Sequence, residues 1–300
     1  MTGLTALSRQ RYGNTMHASL PPSSLLQTRR PCLLCLLCLL TLLLGVFSPA
    51  AAASGSPWEE VEAGLDVGVF PVKNIQGNTA EAVIIRIDPM LFSFVILTAS
   101  TPGEQPRTLR EWALAHHLVA AINAGMYRED GITHTGYLRV GSLLNNSRIV
   151  EKFGAFFVSE PDLDNTLPPA AVLDRDADPW ETLLPRYEMA VQNYRLIDSS
   201  RHVRWLEDTM AHGLSAIGCD GQGRILFIHC RETLRCSDFA AQLLALPIDV
   251  RQTMYVEGGT QAGMLLNVGR DFRLWEGKGS FWNVGSFDAR LPNVIGVRRR

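Results

Sequence analysis

After residue 80, the chain alternates between short apolar runs and turn-forming residues, a pattern typical of β-strands. The runs from Val83 to Ile87 and from Phe92 to Leu97 are rich in β-branched and aromatic residues. They flank Asp88-Pro89, which predicts a hairpin. A second hairpin is predicted from Leu214–Cys219 and Arg224–Cys230, which flank a glycine-containing turn. Strands joined in hairpins pair in antiparallel fashion.

Capping residues predict two helices. Thr108 and Glu111 have the spacing of a capping box, and an apolar stripe follows them. Ser237 is expected to cap a second helix that ends near Leu246. Strands outnumber helices and do not alternate with them regularly. The sequence therefore predicts the α+β class, a single domain with a mixed, largely antiparallel sheet and a few packed helices.

Three predicted strands end in polar side chains, and two of these ends are followed by glycine. The strand ends lie at Asn123 to Gly125, at Gln192 and Asn193, and at Glu257 to Thr260. Burial of a polar side chain at a strand end costs little free energy only when the group forms hydrogen bonds with the protein or with a ligand. Glycine lets the backbone turn sharply and lets a ligand approach. We therefore expect these segments to form one shared site.

Each of these side chains also has an alternative, structural role. Glu257 could accept hydrogen bonds from the N–H groups of its own turn. Asn123 could likewise bond within its turn, and Gln192 and Asn193 have the same alternative. The sequence alone leaves both roles open.

The basic residues give less direct signals. Arg231 follows a predicted strand and could bind a phosphate through two hydrogen bonds or form a surface ion pair. The histidines are scattered without the spacing of metal ligands, so no metal site is predicted. No cofactor is expected, although a Ca²⁺ ion near the acidic groups remains open.

Residues 1–53 have the features of an export signal. Arg29-Arg30 precede an apolar run of 16 residues, from Cys32 to Phe47, and small residues follow up to Ala53. A membrane span needs about 20 residues. We expect a signal over 1–53, a lead-in over 54–79 and the functional domain over 80–300 of a periplasmic or extracellular protein. Retention of the segment as a membrane anchor is the alternative.

Charge and cysteine content narrow the function classes. Loss of residues 1–53 removes four arginines and no acidic residue, which leaves 24 basic and 30 acidic residues and a net charge of −6. That balance argues against nucleic-acid binding.

Three cysteines, Cys219, Cys230 and Cys236, remain after loss of residues 1–53. A Cys230–Cys236 disulfide is preferred for an exported protein, and three buried thiols are the alternative.

The order and spacing of four segments resemble the phosphodiester glycosidase family, which includes bacterial exported proteins. The segments are Ala121-Ile122-Asn123-Ala124-Gly125-Met126-Tyr127, Gln192-Asn193, Ser215-Ala216-Ile217-Gly218 with Asp220 and Gly223, and Glu257-Gly258-Gly259. The resemblance implies a single α+β domain that hydrolyses a glycosidic bond to a phosphodiester, with a carbohydrate or sugar phosphate as partner. It also implies that Asn123 and Gly125 line the cleft and that Glu257 is the acidic residue of the site.

The chain departs from the family pattern at three places. Thr260-Gln261 replaces a serine-containing turn, Leu214 stands where many relatives carry arginine, and the stretch Gln192–Arg195, with Tyr194, replaces a Gln-Ser-Gly-Pro-like sequence. These differences leave the sugar and the group attached to its phosphate open.

Because the leaving group is a phosphomonoester, a single carboxyl group is enough for the hydrolysis. A phosphomonoester has a second pKa of about 6, so it needs less acid assistance than an alcohol. Sugar hydrolysis otherwise needs two carboxyl groups. We expect Glu257 to act as general base or to stabilise positive charge at the sugar, with Asn123 and Gln192 orienting oxygens. Further contacts are expected from Gly125, Asn193, Arg231 or Arg195, Gly258, Gly259 and Thr260.

The rival hypothesis is a non-catalytic envelope protein that binds glycans or sugar phosphates through the same cleft. Trp275, Phe281 and Trp282 could then stack on sugar rings, with packing in the core as their alternative role.

Overall fold

A computed structural model describes residues 56–163, 166–205, 210–277 and 289–300, and the expected signal over 1–53 lies outside them. In chain order the strands are β1 (Trp58–Glu62), β2 (Leu65–Lys73), β3 (Thr79–Ile87), β4 (Phe92–Thr98), β5 (Ala120–Asn123), β6 (Leu138–Val140), β7 (Leu143–Asn146), β8 (Ala155–Pro161), β9 (Ala170–Asp174), β10 (Tyr187–Asn193), β11 (Arg195–Ile197), β12 (His212–Asp220), β13 (Ile225–Leu234), β14 (Val250–Gly258), β15 (Gly263–Val268), β16 (Asp271–Glu276) and β17 (Asn293–Arg299). The helices are α1 (Leu109–Ala115), α2 (Trp180–Leu183) and α3 (Cys236–Ala245), with 3₁₀ turns at Leu184–Arg186 and Gly259–Gln261.

The strands form three sheets. The largest has seven strands in the order β1-β2-β3-β13-β12-β14-β11. The second sheet has the order β7-β6-β10-β8-β9, and the third has the order β16-β15-β5-β17-β4. Every pairing between these strands is antiparallel. The α+β class with antiparallel pairing agrees with the sequence prediction, but there are three antiparallel sheets instead of one mixed sheet.

One hydrophobic core is shared by all three sheets. Phe94 of the third sheet lies edge-to-face against Phe157 of the second sheet and Phe227 of the first, with ring centroids 5.8 and 6.1 Å apart. The interior strand β3 buries Ile84 and Ile85, which point to opposite faces. Both faces of the seven-stranded sheet are therefore covered.

The helices cover the outer faces of the sheets. Phe239 and Leu243 of α3 are buried against the seven-stranded sheet, and Trp112 of α1 is buried against the third sheet. Trp180 of α2 stacks on Phe156 of the second sheet with centroids 5.4 Å apart. Each sheet thus has the shared core on one face and a helix on the other.

The two predicted hairpins have different outcomes. The hairpin of β12 and β13 forms as predicted, with Asp220 closing the turn through bonds from the N–H groups of Gln222 and Arg224. The hairpin of β3 and β4 does not form. Before the turn at Asp88, β3 pairs with β2 and β13, whereas β4, after the turn, pairs with β17 in another sheet. Both strands bury apolar residues, so each can be central in its own sheet.

Three other expectations need correction. The stretch from 54 to 79, expected as a lead-in, contains β1 and β2, which extend the seven-stranded sheet.

The preferred Cys230–Cys236 disulfide is not formed, and the three cysteines of the domain are thiols. Burial raises the pKa of the Cys230 thiol to about 11, so it is protonated at neutral pH. Helix α3 begins at Cys236 after Arg235, so Ser237 lies inside the helix rather than at its cap.

The described part of the chain has no helix long and apolar enough to cross a membrane.

The capping box at α1 was predicted and is present. Thr108 Oγ1 accepts from the N–H of Glu111 at 3.1 Å, and Glu111 Oε2 accepts from the N–H of Thr108 at 2.9 Å. Thr108→Ala should lower the free energy of unfolding by about 1 kcal/mol, because a helix-terminal N–H loses its acceptor. Urea denaturation measures the change. The double variant with Glu111→Ala should lose less free energy of unfolding than the sum of the losses in the two single variants. Equal stability of Thr108→Ala and wild type would contradict the stabilising role of the capping box.

Candidate active site

Asn123 lies at the end of β5, buried next to the connection between β14 and β15. Its Oδ1 accepts a hydrogen bond from the N–H of Gly263 at 3.2 Å. Its Nδ2 is buried and has no hydrogen-bond partner among the described residues. A buried amide donor without a partner is costly and marks a position where a ligand oxygen can bind.

Asn193 joins the other two strand ends. Its Nδ2 donates to the carbonyl of Val256 at 2.9 Å, immediately before Glu257, and its Oδ1 accepts from the N–H of Tyr194 at 2.8 Å. The same Nδ2 lies 2.9 Å from where a Cβ on Gly125 would be. The three polar strand ends singled out in the sequence therefore meet at one place.

Gly125 is required here by both conformation and space. Its φ of +117° is unfavourable for other residues, and a Cβ would lie 2.5 Å from Nε2 of His134. The N–H of Gly136 donates to Nδ1 of His134 at 3.0 Å, so the other ring nitrogen faces Gly125. Burial lowers the pKa of His134 to about 4, and the ring is neutral. The sequence pattern did not single out His134, because its neighbours form an irregular loop.

Gln192 is a structural residue of the site. Its Nε2 donates to the carbonyls of Val150 and Phe153 at 2.8 and 2.9 Å. Its Oε1 accepts from the N–H groups of Val150 and Tyr137 at 2.9 and 3.4 Å. The amide has no capacity left for a substrate. Gln192 therefore holds the surrounding loops, which is the alternative role considered above, and its expected contact with substrate is corrected.

Glu257 is the carboxylate at the centre of the site. It lies opposite Ser215 in the pairing of β12 and β14, where an extra residue in β14 produces a β-bulge. Bulges re-aim side chains and are frequent beside active sites. Burial raises the pKa of Glu257 from 4.5 to about 7, although a 2.9 Å hydrogen bond from the N–H of Gly258 to Oε1 lowers it in part. The carboxyl group is thus set to exchange protons near neutral pH.

Tyr127 is a site residue that the sequence reasoning missed. Burial raises the pKa of its phenol, and the negative charge of Glu257 raises it further. The hydroxyl therefore stays protonated and faces the electrostatic field of the carboxylate. Its position two residues after Gly125, at the rim of a glycine turn, was the available signal.

The segment after Glu257 is shaped by two glycines. A Cβ on Gly258 would lie 1.9 Å from Cδ2 of His212 and 2.6 Å from the hydroxyl of Tyr255. Gly259 has φ of +67° and begins the 3₁₀ turn that contains Thr260, which is partly exposed. The turn therefore brings backbone close to the carboxylate and leaves the Thr260 side chain accessible.

The two candidate arginines have different surroundings. Arg195 forms ion pairs with Asp174 and with Asp176, so its charge is already compensated. Arg231 on β13 is exposed, and its charge contributes to lowering the pKa of His229 two residues earlier. Arg231 is the better placed of the two for a ligand phosphate, and the expectation for Arg195 is withdrawn.

The possible metal ligands and the C-terminal aromatic residues were also considered in the sequence. Within the described residues, no three His, Cys, Asp or Glu side chains are grouped as metal ligands. Trp275 packs against the shared core, while Phe281 and Trp282 lie outside the described residues.

Gln192→Leu tests the structural role of that amide. It should lower the free energy of unfolding by about 2 kcal/mol, because the N–H groups of Val150 and Tyr137 lose their acceptor and the carbonyls of Val150 and Phe153 keep only Arg175. Gln222→Leu in the exposed turn after β12 is the matched control and should change stability by less than about 0.5 kcal/mol. Wild-type stability of Gln192→Leu combined with weaker sugar-phosphate binding would restore Gln192 as a substrate contact.

Glu257→Gln tests the burial of the carboxyl group. The folded-state pKa of about 7 exceeds the ordinary 4.5, so the stability contributed by the protonated form is complete below pH 4.5 and is lost as pH rises through 7. Glu257→Gln should therefore exceed wild type in stability at pH 8 by up to about 3 kcal/mol, with the difference shrinking toward pH 4. Denaturation across this range measures it, with the exposed Glu188→Gln as control. A difference independent of pH would contradict the burial account.

Comparison with known proteins places this geometry in a family. The family model described as phosphodiester glycosidase matches residues 116–298, more than half of the chain. No curated protein sequence matches this chain. A hypothetical protein from Synechocystis shares the fold, with 14% identity and a TM-score of 0.58 over 83% of this chain and 65% of that one, so this chain spans less than two thirds of that protein. The catalytic domain of zebrafish N-acetylglucosamine-1-phosphodiester α-N-acetylglucosaminidase also shares the fold, with 13% identity and a TM-score of 0.53 over 83% of this chain and 85% of that one. The chain belongs to the phosphodiester glycosidase family.

Proposed function

We propose that this protein hydrolyses the glycosidic bond of a sugar-1-phosphodiester. The observation that carries the proposal is the carboxyl group of Glu257, partly buried where three polar strand ends meet, with its pKa raised to about 7. Membership of the phosphodiester glycosidase family supports the same reaction class. Such a carboxyl group is partly ionised at neutral pH and can accept a proton and release it again.

In this proposal Glu257 acts as a general base. The oxygen of a water molecule forms a bond to C1 of the sugar, and the bond between C1 and the phosphate oxygen breaks, with its electron pair leaving on the phosphate. The proton of the attacking water goes to Glu257 and then to solvent. The phosphomonoester that leaves carries the negative charge well, because its second pKa is about 6. A second carboxyl group is therefore not required to protonate it.

Neighbouring groups would orient the substrate. Asn123 Nδ2 is a buried donor without a protein partner in the described part of the chain, which suits a sugar hydroxyl. Tyr127 keeps its proton and can donate to the phosphodiester beside the carboxylate. Arg231 is exposed on β13, two residues after His229, and its guanidinium would bind phosphate oxygens. Thr260, with the backbone of Gly258 and Gly259, would add contacts from the 3₁₀ turn after Glu257.

The proposed setting is outside the cytoplasm. Residues 1–53 would direct export, and the mature chain would begin after Ala53, in the periplasm or outside the cell. A carbohydrate or sugar phosphate of the cell envelope is the expected partner. The N-terminal sequence of the mature protein, obtained from cell fractions, tests this part of the proposal.

Glu257→Gln tests the role of the carboxyl group in the reaction. The purified domain should release free sugar from a member of a panel of sugar-1-phosphodiesters, with and without divalent cations. Glu257→Gln should lower kcat at pH 7 by at least about 100-fold, a typical contribution of general base catalysis, while Glu188→Gln keeps wild-type activity. A loss of less than about tenfold, or about 1.4 kcal/mol, would contradict the role given to Glu257. Saturable binding without release from any substrate would favour the glycan-binding alternative.

A further inference from the structure

Ser215 and His229 form a buried polar pair that the proposed reaction does not yet use. Ser215 Oγ and His229 Nδ1 are 3.0 Å apart, and the residues are 0% and 1% exposed. They are surrounded by apolar neighbours, including Ile217 and Phe227. A polar pair in such a place is expensive to bury and is often retained for a specific purpose.

The strand register places this pair beside Glu257. His229 on β13 is opposite Ser215 on β12, and Ser215 is opposite Glu257 on β14. Residues directly opposite each other in antiparallel strands point to the same face, with Cβ atoms about 4.5–5.5 Å apart. The three side chains therefore form a row across three adjacent strands, with the serine hydroxyl between the imidazole and the carboxyl group.

The direction of the hydrogen bond within the pair follows from its surroundings. Burial lowers the pKa of His229 to about 4, so the ring is neutral and carries one proton. The backbone of Glu276 favours protonation of this ring, although Nε2 forms no hydrogen bond of normal geometry with any described residue. We assign the ring proton to Nε2, on the side of Glu276, so that Nδ1 accepts from the hydroxyl of Ser215. The hydroxyl proton is used, and only oxygen lone pairs remain to face Glu257.

We propose that Ser215 and His229 are positioning residues that hold the protonated form of Glu257, which donates a hydrogen bond to Ser215 Oγ. The ionised carboxylate takes the other position, in which Oε1 accepts from the N–H of Gly258 at 2.9 Å. The carboxyl group alternates between the two partners as it gains and loses the proton of the attacking water. This inference rests on the proposed function for its catalytic meaning.

Other ionisable groups also surround Glu257, and their effects must be separated from that of the pair. The phenol of Tyr127 interacts with the carboxylate across the site. The remaining groups lie on the same sheet: Tyr255 on β14 itself, His212 on β12 and Arg195 on β11, which flank β14, and His229 and Arg231 on β13, one strand further away. Ser215→Ala leaves all of these residues in place, and among them only His229 loses a hydrogen bond, so separate His229 variants are needed to assign the effect.

The test measures the titration of Glu257 directly and compares it with catalysis. In protein labelled with ¹³C at the glutamate carboxyl carbon, Ser215→Ala should lower the midpoint of the Glu257 signal by about one pH unit, because the protonated form loses its acceptor. The acidic limb of the kcat profile should move by the same amount, and kcat at its plateau should fall about tenfold with KM within twofold of wild type.

Two histidine variants and a matched control complete the test. His229→Asn keeps an acceptor near the position of Nδ1 and should retain most of the wild-type midpoint, whereas His229→Leu should shift it as Ser215→Ala does. Ser159→Ala removes a hydroxyl that is equally buried on β8 and should leave titration and kcat unchanged. If Ser215→Ala is unstable, Ser215→Cys, whose thiol is a weaker partner, should produce a smaller shift in the same direction.

The outcomes separate this inference from the proposed function. A Glu257 midpoint unchanged in Ser215→Ala would overturn the pairing, even if the wild-type enzyme releases sugar. A shifted midpoint in a protein that releases no sugar would support the pairing and reject the proposed reaction. A shift in Ser215→Ala with none in His229→Leu would remove His229 from the row.

Discussion

The hydrogen bond from Asn193 Nδ2 to the carbonyl of Val256 joins two sheets at the place where the polar strand ends meet. Without it, β10 and β14 would end independently, and the turn at Gly125 would lose the amide against which it packs. Because the glycine has no Cβ, the amide fits directly beside its backbone. The position of Glu257 depends on this contact, since the carboxylate follows Val256 by one residue.

Burial accounts for the chemistry of the site as well as for its shape. Partial burial of Glu257 disfavours the charged form and brings its pKa close to neutral pH. The same desolvation keeps His134 and His229 neutral and Tyr127 protonated. The protein therefore carries stability costs at this edge of the sheets that a purely structural core would avoid, a pattern associated with functional sites.

The sequence predicted the parts of the structure that depend on local pattern. The hairpin of β12 and β13, the capping box at Thr108 and the polar strand ends were all visible in spacing and residue type. The separation of β3 from β4 was not, because two consecutive apolar strands around a turn look alike whether they pair with each other or with distant strands. Roles decided by long-range partners were also hidden: Gln192 and Arg195 looked like ligand contacts until their backbone and carboxylate partners were seen.

The central claim, that water attacks the sugar carbon and not the phosphorus atom, is tested most directly by hydrolysis of a sugar-1-phosphodiester in H₂¹⁸O. Cleavage between C1 and oxygen should place ¹⁸O in the free sugar and none in the phosphomonoester, as determined by mass spectrometry. Label in a phosphate product would mean that the bond between phosphorus and oxygen breaks, and the account of this site as a glycosidase would be wrong.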